Sequence, residues 1–142
     1  AALLVDAGLA GGGLIGDDVR IATGAGLKQL RLLSRSGRTF SFEMNMGTAR
    51  VEEVRASIEG RDCVILNVGN PQCAFFVDHF DFEWQALGAR VERHPRFPNR
   101  TNVSFVKVVD RHILDVRFFE RGAGGTRSGG TGATGAAAAA FD

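Results

Sequence analysis

Phe118-Phe-Glu-Arg-Gly-Ala-Gly-Gly-Thr-Arg-Ser-Gly-Gly-Thr-Gly-Ala-Thr-Gly-Ala-Ala-Ala-Ala-Ala-Phe-Asp142 is the stretch that decides how this chain is read. It opens as a strand end, two aromatic residues followed by the charged pair Glu120 and Arg121. It continues as a loop dense in glycine and closes on an alanine run, whose residues have the highest helix propensity. Glycine lets the backbone take positive φ and lets a ligand come close. The first turn of a helix leaves backbone N–H groups unpaired, with the positive end of the macrodipole behind them. Gly130, Thr131 and Gly132 are therefore expected to form a nest for an anion, either a carboxylate or a phosphate. The alternative is a flexible glycine tail. No Gly-Lys-Ser/Thr follows the glycines, so this is not a Walker loop, and the strand and βαβ setting of a dinucleotide fingerprint is missing.

Upstream, Thr101–Val109 and His112–Phe119 read as a hairpin turning at Asp110-Arg111. Cys63–Val68 and Cys73–Val77 read as apolar strands around a Gly69-Asn70-Pro71 break. Pro71 confines Asn70 to extended conformations, which puts Asn70 in a sharp loop at a strand end. Phe80–Leu87 reads as a short helix around Trp84, and His94-Pro-Arg-Phe-Pro98 as a loop. Nearer the start, Val19–Ala22, Leu27–Leu33, Thr39–Asn45 and the residues around Val51 are rich in β-formers. Apolar and polar residues alternate through Thr39-Phe-Ser-Phe-Glu-Met-Asn-Met46, the pattern of a half-buried strand. Strands at a spacing of about ten residues favour an antiparallel sheet over βαβ units. Ala1–Leu9 reads as the last turns of a helix, stopped by Gly8 and Gly11-Gly12-Gly13. The chain lacks an initiator Met, which leads to the expectation of a processed chain or a fragment, and Gly135–Asp142 reads as a helix cut off in full stride, which favours an internal fragment, poorly stable alone.

Composition narrows the function classes. Apolar residues make up 44% and charged residues 23%, as in ordinary globular proteins, and the net charge is +1. That balance gives no electrostatic case for a nucleic-acid or membrane partner, and Arg90, Arg93, Arg96 and Arg100 are scattered through what reads as a solvated loop region. No apolar run approaches the roughly 18 residues of a membrane span, and no basic segment opens a secretory signal. The two cysteines, Cys63 and Cys73, lie in apolar strand-like runs without metal-ligand spacing and read as reduced, buried structural thiols. The three histidines, His79, His94 and His112, sit in unrelated contexts, so no metal site is expected. Glu120 and Arg121 follow a buried strand end, where an unpaired charge is costly; a structural ion pair is one reading of them. Asn70 and Asn102 each can donate and accept hydrogen bonds, and alone would read as turn formers.

Taken together these features resemble the diaminopimelate epimerase family. Asn67-Val-Gly-Asn-Pro-Gln-Cys73 resembles its N-V-G-N-P-H-C, and Phe97-Pro-Asn-Arg-Thr-Asn-Val103 its F-P-x-R-T-N-V. Phe119-Glu-Arg-Gly-Ala-Gly-Gly-Thr-Arg-Ser-Gly-Gly-Thr-Gly-Ala133 resembles its Y-E-R-G-A-G-E-T-x-A-C-G-T-G-A, in the same order and spacing. The resemblance implies an α+β fold of two similar domains, each an antiparallel barrel-like sheet around a central helix. Residues 1–52 would then be the C-terminal portion of the first domain and 53–142 the N-terminal portion of the second, the whole truncated at both ends. It implies inversion of LL-diaminopimelate to the meso form for lysine and peptidoglycan synthesis, in the cytoplasm, with no cofactor and no metal. One thiolate removes the α-proton and a thiol on the opposite face returns one. A full-length homodimer acting on a small amino acid, with no nucleic-acid or membrane partner, is the implied assembly.

Carried over by motif, Asn70, Asn102, Glu120 and Arg121 become substrate contacts, and Gly130 and Thr131 the carboxylate nest. Three departures from the pattern bear on the chemistry. Gly129 stands where the resembled family has its second catalytic Cys, and Gly125 where it has Glu. Gln72 stands where a His is usual, so that catalytic position can hydrogen-bond but not titrate near neutrality. The first Cys belongs to a motif expected just ahead of Ala1. The chain is thus expected to be inactive as it stands. Two other readings are a same-fold isomerase using Glu120 as its single base, and a non-catalytic amino-acid-binding protein.

Overall fold

Neighbouring residues of a strand point to opposite faces, and Phe118 and Phe119 use that property to seat two helices on two sides of one sheet. The computed structural model of the protein describes residues 18–23 and 26–141. The expected helix at Ala1–Leu9 lies outside these residues. The chain divides between Met46 and Gly47 into two compact units.

In the first unit β1 (Asp18–Thr23), β2 (Gly26–Ser36) and β3 (Thr39–Met44) form an antiparallel sheet in that order. The period-two alternation of β3 turns Phe40 and Phe42 to one side, where they pack with Ile21 against the buried Val19 and Leu32.

In the second unit β4 (Arg50–Ile58), β5 (Arg61–Asn67), β6 (Pro71–Phe76), β7 (Asn102–Asp110), β8 (Ile113–Glu120) and β9 (Gly124–Thr126) form a six-stranded sheet in sequence order. Arg50–Ile58 is one continuous strand of this second sheet. Glu59 and Gly60, both at positive φ, make the two-residue turn joining β4 to β5. All strand pairs are antiparallel except β6 and β7, which run parallel with α1 (Trp84–Glu92) as their crossover. That βαβ unit departs from the antiparallel arrangement expected from strand spacing alone. The helix also begins later than Phe80. The N–H groups of Phe82 and Trp84 bond two residues back, to Phe80 and Phe82, and that of Asp81 bonds His79 Nδ1, so the amides of this segment are committed to tight turns. The glycine loop, expected to be irregular, contributes β9, paired to the end of β8. α2 (Gly130–Phe141) follows it.

The centre of the sheet is covered on both faces. Cys63, Ile65, Cys73, Phe75, Val103 and Phe105 face Leu87 and Val91 of α1. Val64, Leu66, Ala74 and Val106 face Ala136 and Ala139 of α2, which lies against β4, β5, β6, β7 and β8, as a sheet curled about a helix requires. Phe119 meets α1 at Gly88 and Phe118 meets α2 at Gly132. Among the described residues no helix is long and apolar enough to cross a membrane.

Candidate functional site

The N-terminus of α2 lies beside the starts of β6 and β7 and the end of β8, and Asn70, Gln72, Asn102 and Glu120, singled out in the sequence, lie around it. Gly129 supplies the carbonyl that accepts from the Ala133 N–H at 2.9 Å, so the helix proper starts at Gly130. The amides of Gly130, Thr131 and Gly132 are then its unpaired first-turn donors. No acidic residue stands in that first turn.

Asn70 closes the β5–β6 turn, which is shaped by the Gly69 N–H donating to Asn67 Oδ1 at 2.9 Å and by the Val68 N–H donating to the Asn70 carbonyl at 3.2 Å. Its Nδ2 points to Thr131 Oγ1 at 3.5 Å, while its Oδ1 accepts from Gln72 Nε2 at 2.7 Å. Gln72 is 2% exposed, lies against Gly135 of α2, and its Oε1 is buried without a partner. The parallel register sets Gln72 opposite Asn102. Asn102 in turn donates to the Pro71 carbonyl at 3.3 Å and accepts from the Arg121 N–H at 2.9 Å. Four separated segments are therefore joined by short polar contacts.

Glu120 is half-buried at the end of β8, and its carboxylate leans over Gly129. A Cβ added at Gly129 would run into Glu120 Oε1, so the carboxylate fills the place a side chain at 129 would take. A negative charge at a helix start is favourable, worth roughly 0.3–1 kcal/mol. Arg121 is exposed, and its guanidinium reaches away to the Asn99 carbonyl at 3.1 Å rather than into the nest. At Gly125, an added Cβ would stand 3.4 Å from the Trp84 ring.

The two cysteines belong to the core on the α1 side. A hydrogen bond with the Cys63 thiol, and then burial, push the Cys73 thiol up; the same hydrogen bond lowers Cys63. Neither faces the helix start. Among the described residues no cluster of three or more His, Cys, Asp or Glu is placed to hold a metal ion. One residue that the sequence did not single out is wired into the site: Glu92, whose carboxylate accepts from the Gly122 N–H at 2.8 Å. The sequence reading ended the helix at Leu87 and left Glu92 among the arginines of a solvated loop region, so no signal pointed to it.

Comparison with known proteins adds to this geometry. The family model for diaminopimelate epimerase matches residues 64–142. The diaminopimelate epimerase of Moorella thermoacetica is 36% identical over 141 residues, covering 87% of this chain and 50% of the relative. That of Ectopseudomonas mendocina is 37% identical over 139 residues, covering 87% and 49%. The chain spans about half the length of the curated relatives it matches. Among solved structures, a hydroxyproline epimerase from Agrobacterium vitis with bound trans-4-hydroxy-L-proline superposes with a TM-score of 0.73 at 17% identity, over 99% of this chain and 48% of that one. A probable proline racemase from Agrobacterium radiobacter K84 with bound carbonate gives 0.68 at 17% identity, over 89% and 45%. At that identity the structures speak for the fold alone. The sequence matches run through the β6, β7 and β8 segments that build the helix start, and on them the chain belongs to the diaminopimelate epimerase family.

Proposed function

We propose that this chain binds diaminopimelate at the N-terminus of α2 and, with Gly129 in the thiol position, does not invert it. One observation carries the reading: Asn70, Asn102 and Glu120 gather at a helix start, whose first-turn amides have no partner within the helix and so suit a carboxylate. In this reading the substrate α-carboxylate lies on the Gly130 and Thr131 amides. The Asn70 and Asn102 side chains flank it, and Arg121 stands at the rim. An ammonium donates and Glu120 accepts, so Glu120 suits the amino group. Gly47–Asp142 belongs to the second of the two family domains, and the preceding unit to the first. The parent reaction is the cofactor-independent, two-thiol inversion of LL-diaminopimelate to the meso form in the cytoplasm, by a homodimer at full length. Inversion needs an acid and a base on opposite faces of the α-carbon. Gly129 supplies neither, and Gln72, hydrogen-bonded to Asn70, cannot titrate near neutrality.

A second reading has an observation in its favour. The Glu120 carboxylate occupies the volume of the missing side chain at 129. As a single base it would take the α-proton and return a solvent-exchanged one to the same face, giving exchange without inversion. One experiment separates the readings: LL-diaminopimelate is titrated into the chain in D2O and followed by NMR. Binding shifts at Gly130 and Thr131 with no α-deuteration above the buffer rate are expected. Deuteration with retained configuration, lost in Glu120→Gln, would instead establish the single-base reading. Absence of any binding shift removes both.

A further inference from the structure

We infer that Glu92 positions the ligand-facing segments of this site, a role that rests on Asn102 and Glu120 facing an amino acid as proposed above. Among the described residues Glu92 is the only buried charged side chain, 3% exposed. Its location is unfavourable on two counts. It closes α1, where the negative end of the helix dipole opposes a carboxylate, and burial strips its charge of water. Core packing alone would favour a neutral residue there.

The carboxylate instead holds chain segments together. Oε1 accepts from the Gly122 N–H at 2.8 Å and from Arg100 Nη1 at 3.5 Å, and Oε2 lies 3.5 Å from Arg93 Nε. The backbone carbonyl of the same residue accepts from the Thr101 N–H at 3.2 Å. Arg100 sits at φ +61°, which L side chains rarely adopt, inside the segment that Glu92 grips from both its side chain and its backbone. Asn102, one residue beyond that segment, accepts from the Arg121 N–H at 2.9 Å. The consecutive amides of Arg121 and Gly122 are thus captured by two side chains from two different elements. Their joint effect is to lock the Glu120–Gly122 turn against Asn102, which sets where the Asn102 amide and the Glu120 carboxylate point. Glu92 touches no ligand in this arrangement and acts through those two residues.

Amide hydrogen exchange and titration with LL-diaminopimelate, both read by NMR on the 142-residue chain, test the role in three variants. Glu92→Gln keeps an oxygen within reach of Gly122, Glu92→Asp keeps the charge but falls one methylene short, and Glu92→Ala keeps neither. Losing a buried hydrogen bond to a charged group corresponds to roughly tenfold or more. The Ala and Asp variants are therefore expected to speed exchange at Gly122 and weaken binding about tenfold, with wild-type rates at β5 and β6. The Gln variant should stay within about threefold of wild type in both. Exchange that rises equally at Gly122, β5 and β6, or wild-type binding and exchange in the Asp variant, overturns the inference. If the Ala variant does not fold, the Asp and Gln pair carries the comparison. If the wild-type chain binds nothing, the ligand proposal above falls, and exchange at Arg121 and Gly122 alone decides the role of Glu92.

Discussion

At Gly129 one missing side chain changes the chemistry of its surroundings. A Cβ there collides only with the far end of Glu120, a flexible side chain, so Gly129→Cys is expected to fold with the carboxylate swung aside. Two fields then act on the new thiol. The helix start lowers its pKa, by up to about 2 kcal/mol in partly buried settings. A Glu120 carboxylate at about 4 Å raises it, by about 1 kcal/mol in water and about 4 at an effective dielectric of 20. The carboxylate acts over the same range or a larger one, so Gly129→Cys should titrate above Gly129→Cys/Glu120→Gln. Alkylation rate against pH measures both, with Cys63 and Cys73 silent in the core. Equal midpoints, or the reverse order, would show that Glu120 does not face position 129. Much of this scale was legible in the sequence. Asn70 was placed by Pro71, and the helix start by glycines running into alanines. Glu92 was hidden because its burial depends on Gly122, thirty residues away, arriving on top of it.

Among the elements, β8 carries the most information, because its two phenylalanines fix how closely each helix approaches. A Cβ on Gly88 would meet Phe119 Cγ at 2.7 Å and Phe119 Cβ at 2.8 Å; one on Gly132 would meet Phe118 Cδ1 at 2.7 Å and Cε1 at 2.9 Å. Helix propensity favours alanine over glycine by about 1 kcal/mol, whereas overpacking costs typically 1–3 kcal/mol. The outcome depends on what can yield. Phe119 Cβ is fixed to the strand backbone and its Cγ moves only with χ1, while the Phe118 ring edge can also turn about χ2. Gly88→Ala is therefore expected to lose about 1–2 kcal/mol in urea melts, and Gly132→Ala less. A Gly132→Ala loss exceeding that of Gly88→Ala would mean the α2 face is the more rigid one. The hairpin of β7 and β8 could be read directly from its alternation and turn. The parallel β6–β7 pair could not, since period-two patterning is blind to strand direction. β9 was masked because glycine, a poor strand former, pairs here through its backbone alone.

Taken as a whole, the chain spends its apolar residues unevenly between its units. The centre of the second sheet is packed on both faces, with Phe75, Phe105, Leu66, Val103 and Val106 among its fully buried side chains, while Val54, Phe76, Val108, Val109 and Ile113 toward its margins stay exposed. In the first unit only Val19 and Leu32 are buried hydrophobics among the described residues, and Leu27, Leu33 and Met44 are exposed. A three-stranded sheet with a single small apolar cluster is near the lower limit of independent stability. Local opening free energies track buried apolar contact, from near zero in poorly packed segments up to the global value in core strands. Fully burying one side chain of the Leu or Phe class contributes about 1.5–3 kcal/mol. Two more such residues on one core than on another would already separate the opening rates by about a hundredfold or more. Native-state hydrogen exchange should therefore find the β2 and β3 amides exchanging at least a hundredfold faster than those of β5, β6 and β7. The β1–β3 signals should also disappear first on a urea gradient, before the β5–β7 amides lose protection. Equal protection across both units, or a single cooperative urea transition, would overturn this expectation.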